Sequence, residues 1–192
     1  MALTHHNVPL GAVVVVVLLG ILGFSVLWGG ARSQDAPELS SELRAALEQQ
    51  GCTLDNRADP GQEHVPAADA RYTVNPPAGG NHDPVPSPAG FYDLANAPTD
   101  PHLVHSLEHG FVVVWYRPDG VAPATVDRLR DLARSHRWVI VVPRLPLPTV
   151  LAATAWHRRL LCPDGVDPLR ADGPLGTFVT RFRNAGPEKG FV

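Results

Sequence analysis

The sequence predicts a small layered α/β (α+β) domain with a β-α-β-β-α core and a long ordered loop, set behind one N-terminal transmembrane helix. Three observations carry this expectation. Residues 111–116 (FVVVWY) and 138–142 (WVIVV) are continuous apolar runs rich in β-branched and aromatic residues, as strands buried on both faces are. Between them, residues 123–136 place Val126, Leu129, Leu132 and Ala133 at helical spacing. Residues 8–28 are apolar apart from Ser25; at about 1.5 Å rise per residue such a run spans a hydrocarbon layer of about 30 Å.

Taken in order, residues 1–32 form the anchor. A cleaved signal peptide, with Gly29 and Ala31 before the cut, is the competing reading; the apolar run is longer than the usual signal core of about 7–15 residues, which favours the anchor. Residues 33–52 hold a juxtamembrane amphipathic helix over 35–50. Asp35 and Glu38 make a capping-box pattern, Leu39, Leu43, Ala46 and Leu47 form one stripe, and Gly51 stops the helix. The main domain spans 53–192. Its first part, 53–101, is rich in Pro, Gly, Asn and Asp with almost no periodicity. Loops of that length are disordered or functional, and Tyr72, His82, Phe91 and Tyr92 give this one anchors with which to wrap onto the body. Asp100-Pro101 then opens a short helix, with Asp100 as N-cap, and Gly110 closes it. A third strand is expected over 150–156 and a last helix over 175–182, with Phe178 and Phe182 on one face.

Charge narrows the function. The chain has 16 basic and 19 acidic residues, a net charge of −3, and its only lysine is Lys189. A mildly acidic body gives no support for nucleic-acid binding, which usually needs a basic face. The two cysteines, Cys52 and Cys162, fit a disulfide formed in an oxidising compartment, with two separate buried thiols as the alternative. Arg32 just after the span argues for a cytoplasmic body by the positive-inside rule. One arginine weighs less than the cysteine pair, and the body is placed outside the cytoplasm.

The helix ending at Gly110 carries the chemistry. Residues four apart share a helix face, so His105 and His109 lie together and His102 joins their stripe. Glu108 stands beside them as a ligand, a partner orienting an imidazole, or a general base. Gly79-Gly80-Asn81-His82-Asp83 is a turn able to bring His82 over the helix as a further donor. Imidazoles with a carboxylate suit zinc, copper(II), iron or nickel; Met1 is the only methionine, which excludes a thioether copper(I) site. His105-x-x-Glu108-His109 also spells the inverted zinc-protease pattern H-x-x-E-H, but the helix ends at once and no acidic third ligand follows on a long helix. His64, His136 and His157 are scattered and read as surface or core-edge residues.

Several stretches together resemble the DUF3105 family of uncharacterised, mostly bacterial and often membrane-anchored proteins. They are Tyr72-Thr73-Val74-Asn75-Pro76-Pro77, Gly80-x-His82, Gly90-x-Tyr92, Val104-His105-Ser106-Leu107-Glu108-His109-Gly110 leading into Val112-Val113-Val114-Trp115-Tyr116, then Pro143, Ala155-Trp156 and Gly186-Pro187-Glu188. The resemblance maps the family's motif onto Asn75, Pro76, Pro77, His82, Tyr92, His105, Glu108, His109 and Glu188. His102 lies outside that pattern, and Asn81 stands where a proline is common. The preferred metal donors become His82, His105, His109, Glu108 and Glu188, with zinc or copper as the ion, while Asn75, Pro76, Pro77, Tyr92 and His102 remain as binding or structural motif residues.

Three functions follow as expectations. The first is a membrane-anchored extracytoplasmic domain that binds a transition metal for sensing, delivery or structure. The second is a non-catalytic cell-envelope module in which the histidines only stitch the loop to the core. The third is a metal-dependent hydrolase using Glu108. No protein partner is specified by the sequence.

Overall fold

The two valine-rich runs become adjacent parallel strands inside one mixed sheet. The computed structural model describes residues 39–188. Its elements are α1 (Ser41–Gln49), β1 (Thr53–Asp55), β2 (Gly90–Phe91), α2 (Asp100–Glu108), β3 (Val112–Tyr116), α3 (Pro123–Ser135), β4 (Val139–Pro143), β5 (Leu151–Ala155), β6 (Arg158–Cys162) and α4 (Pro174–Phe182). The sheet order is β1-β6-β5-β3-β4-β2. β3 pairs in parallel with β4, Val113 opposite Ile140 and Trp115 opposite Val142, and α3 supplies the crossover that a parallel pair requires. β2 adds to β4 in parallel, whereas β5 and β6 continue the sheet antiparallel.

Successive side chains of a strand point to opposite faces, so the sheet carries two cores. Val112, Val114, Val139 and Val141 pack with Leu47 of α1, Leu129 of α3, and Phe178 and Phe182 of α4. Val113, Trp115, Ile140 and Val142 face the other way, against Leu103, Val104 and Leu107 of α2. Both faces of β3 and β4 are therefore covered, which is why these strands read as unbroken apolar runs. The long loop shares the second face with α2, and Tyr72 and Tyr92 pack against its core as the aromatic anchors were expected to.

The predicted order is present as β3-α3-β4-β5-α4, with corrections. β6 comes between β5 and α4 and was not expected, because its sequence RRLLC opens with two arginines. Arg159 is tolerated there by pairing: its guanidinium meets the Asp55 carboxylate at 2.7 and 3.2 Å and donates to the Asn75 carbonyl at 2.8 Å. β1 and β2, of three and two residues, are too short to leave a period. α1 begins at Ser41, capped by the Ser40 hydroxyl, which accepts from Leu43 N at 3.2 Å. The Asp35–Glu38 capping pair lies outside the described residues. The N-cap of α2 is Thr99 rather than Asp100; Asp100 instead accepts from Arg144 Nη1 at 2.6 Å.

Cys52 and Cys162 form a disulfide, as the cysteine pair led us to expect, and it ties the chain after α1 to the end of β6. Among the described residues no helix is long and apolar enough to cross a membrane. The apolar run at 8–28 lies outside them.

Candidate metal centre

α2 is anchored by one stripe and offers another. Leu103, Val104 and Leu107 enter the core, which turns His105, Ser106 and Glu108 toward the long loop. His109 is the C-cap and Gly110 follows at φ +89°, the left-handed C′ geometry that a glycine adopts without strain. The chain then reverses into β3. This places His105, Glu108 and His109 in the buried end of the helix, at 3%, 3% and 6% exposure.

The loop arrives from above. Residues 64 and 82 form an isolated parallel bridge: Val65 N donates to the His82 carbonyl at 2.8 Å, and His82 N donates to the Glu63 carbonyl at 3.0 Å. Their rings therefore meet edge to face, with centroids 5.1 Å apart. Gly80 at φ +116° makes the turn before His82. Tyr72 secures that turn by donating its hydroxyl to the Asn81 carbonyl at 2.7 Å, and Trp156 meets the His82 ring edge-on.

Backbone carbonyls decide which nitrogen of each ring faces inward. A carbonyl can only accept, so His82 Nδ1 donates to Gly80 O at 2.8 Å and His105 Nδ1 donates to Asp83 O at 2.7 Å. In both rings this leaves Nε2 pointing into the site, the arrangement found around metal-ligating histidines. His82 Nε2 lies 2.9 Å from Glu108 Oε2, and His64 Nε2 lies 3.9 Å from the same oxygen. One ligand atom from each of His64, His82, His105 and Glu108 falls within 4.8 Å of the others. This His₃Glu cluster could hold a metal ion.

The environment pushes the two buried rings in opposite directions. Burial pushes the His82 imidazolium down, but the Glu108 carboxylate and the Gly80 carbonyl outweigh it, and its pKa is raised. The Glu108 carboxyl facing Nε2 at 2.9 Å therefore favours the protonated form of His82. His105 goes the other way. Burial pushes it down to about 4; the Asp83 carbonyl opposes this, and its histidine neighbours reinforce it. It is neutral at pH 7, with the Nε2 lone pair available.

The C-terminal tail closes the far side. Asn184 N donates to Gly110 O at 2.7 Å and Glu188 N donates to Glu108 O at 3.2 Å. Glu188 Oε2 then stands 3.8 Å from His109 Nε2, which is itself 2.7 Å from His105 Nε2. Because His105 Nδ1 holds the ring proton, His105 Nε2 accepts in that contact and His109 Nε2 donates. A cleft of about 340 Å³ opens onto this row, lined by His64, Pro84, Pro86, His105, His109 and Glu188.

A sequence-family model described as "Protein of unknown function (DUF3105)" matches residues 64–191, more than half of the chain. The chain belongs to the DUF3105 family. No curated protein and no solved structure matches it.

Within this DUF3105 domain the expected donors fall into two groups. His82, His105 and Glu108 converge with each other, whereas His109 and Glu188 adjoin them along the cleft. His64, set aside in the sequence as a scattered histidine, is the fourth member of the cluster. Nothing in its local spacing marked it; only the bridge to residue 82 brings it in. His102 stays outside: its Nδ1 donates to Val85 O at 2.7 Å and pins the loop to α2. The remaining motif residues make contacts that hold the loop to the body. Asn75 receives Arg144 Nε on its side-chain oxygen at 2.6 Å and donates to Pro146 O at 3.0 Å, with Pro76 and Pro77 following in the same buried turn. Tyr92 fastens the loop edge by donating to Pro88 O at 2.9 Å.

Proposed function

We propose that this DUF3105 domain binds a transition-metal ion, zinc or copper(II), through His64, His82, His105 and Glu108. The observation that carries the reading is the pair of Nδ1–H···O=C bonds that aim His82 Nε2 and His105 Nε2 at a shared point beside a buried carboxylate. Three imidazoles and one carboxylate match the donor preference of these ions and not of calcium or magnesium. We further propose that the domain works outside the cytoplasm, tethered by residues 8–28; the support is the apolar run and the Cys52–Cys162 disulfide. The side chain of His64 is 46% exposed at the cleft. Because that ligand is reachable from solvent, we favour delivery or sensing over a purely structural role.

Metal titration of the purified full chain in detergent tests this. Zinc or copper(II) at about 100-fold over its Kd stabilises by about 2.7 kcal/mol, which at about 2–4 °C per kcal/mol raises the melting temperature by about 5–11 °C. His105→Ala removes that rise. One observation favours a second reading, the non-catalytic envelope module: the same carbonyl bonds join loop to helix without needing an ion. A melting temperature indifferent to metal and chelator alike, with no uptake by calorimetry, would establish that reading and dismiss the first.

A further inference from the structure

The donors around the cleft sort into two triads of the same composition. Glu108 Oε2 is the centre of the first, 2.9 Å from His82 Nε2 and 3.9 Å from His64 Nε2. His109 Nε2 is the centre of the second, 2.7 Å from His105 Nε2 and 3.8 Å from Glu188 Oε2. Each triad is two imidazoles and one carboxylate. The two meet at His105, whose ring centroid lies 4.9 Å from that of His82 and 4.6 Å from that of His109.

From this repetition we propose that the cleft takes two transition-metal ions, one at His64, His82 and Glu108 and a second at His105, His109 and Glu188. The proposal rests on the metal-binding reading above and deepens it. A single four-coordinate ion would employ His64, His82, His105 and Glu108 and leave two donors over. Taking the Nε2 lone pair of His105 would also end its hydrogen bond with His109, whose ring is buried, so the same event that fills one position frees the donor of another. His105 cannot serve both ions, since its Nδ1–H is committed to the Asp83 carbonyl. Assigning it to the second position gives each ion three protein donors. Pairs of ions about 3.5–4 Å apart recur in two-metal sites. With three protein donors each, both ions keep an open position; His64 of the first triad and His105, His109 and Glu188 of the second line the cleft.

The test is stoichiometry on the full chain in detergent, stripped of metal and titrated with zinc or copper(II). Bound metal is measured by elemental analysis after gel filtration. Two equivalents are expected in the parent chain. Glu188→Gln, a near-isosteric change at a half-exposed side chain, lowers this to one or weakens the second equivalent at least tenfold, while the first is retained. His64→Ala weakens the other position and leaves the Glu188-dependent one. In copper(II)-loaded protein, dipolar broadening of the electron paramagnetic resonance signal grows between one and two equivalents in the parent and is absent in Glu188→Gln. One equivalent at saturation overturns the second position and leaves the first standing. Two equivalents unaffected by Glu188→Gln overturn it as well, because the extra ion then lies elsewhere. No uptake at all refutes the underlying metal-binding reading instead.

Discussion

Gly186→Ala is a small change with a calculable consequence. A Cβ built at residue 186 lies 2.0 Å from the Glu108 carbonyl oxygen and 2.3 Å from Gly110 N. Both are backbone atoms, one at the last residue of a helix and one at its C′ position, so no rotamer relieves the clash. The tail must lift by about 1 Å or more to restore ordinary contact. It is held over this stretch by Asn184 N donating to Gly110 O and Glu188 N donating to Glu108 O. At about 0.5–1.5 kcal/mol per hydrogen bond, undocking costs about 1–3 kcal/mol, and that sum is a ceiling because the tail can detach without unfolding the sheet. For a chain of this size it corresponds to a fall of about 2–12 °C in melting temperature. Hydrogen exchange read by mass spectrometry gives the local signature: protection is lost over residues 184–188 and kept in β3 and β4. Glu188 moves away from His109 at the same time, so any metal bound through it weakens. A variant with the parent's melting temperature and full protection over 184–188 would refute the claim that close backbone approach at Gly186 seats the tail.

Two further outcomes follow from features away from the cleft. Reducing the Cys52–Cys162 disulfide, or replacing both cysteines by serine, opens a loop of 110 residues; the chain-entropy relation gives a loss of up to about 4.8 kcal/mol, measured as a lower urea midpoint with unchanged far-ultraviolet circular dichroism before unfolding. Asp59 accepts from Thr73 N and Thr73 Oγ1 at 2.9 and 2.6 Å and from Val74 N at 3.1 Å. Burial works to raise its pKa, but these donors overcome that and hold the carboxyl below its usual value. A depressed carboxylate stabilises above the unfolded pKa, about 3.9, and loses that contribution as pH falls through the folded value. Asp59→Ala is therefore destabilised by about 1–3 kcal/mol at pH 7, with the gap to the parent closing below about pH 4 in urea titrations.

Much of the fold was legible because each legible part is local. The double burial of β3 and β4 writes itself as FVVVWY and WVIVV, and α3 and α4 keep apolar residues at helical spacing. β6 was illegible for an electrostatic reason: Arg159 is admitted to a buried strand by Asp55 and the Asn75 carbonyl, more than eighty residues away in the chain for each. The site divides along the same line. His105, Glu108 and His109 share one turn of helix and declare themselves by spacing. His82 stood out first through its glycine turn, and then the family resemblance singled out both His82 and Glu188, which no local spacing ties to α2. His64 had neither signal. It reaches the cluster through two backbone hydrogen bonds to residue 82, and hydrogen bonds between loop segments have no sequence period.

The way the imidazoles are held bears on how such a centre works. In a small zinc module the ion itself organises its ligands, and the metal-free chain is unfolded. Here His82, His102 and His105 each donate Nδ1–H to a loop carbonyl, of Gly80, Val85 and Asp83, and β3 and β4 beneath them are packed on both faces. Backbone carbonyls thus hold these rings in orientation. A donor set fixed in advance loses little side-chain entropy when an ion arrives. What an ion must displace is the proton shared between His82 and Glu108 and the bond between His105 and His109. Both are hydrogen bonds within the donor set, given up when metal–ligand bonds form. On the metal-binding reading proposed above, donors held by the protein's own hydrogen bonds suit a centre that exchanges its ion more than one built around it.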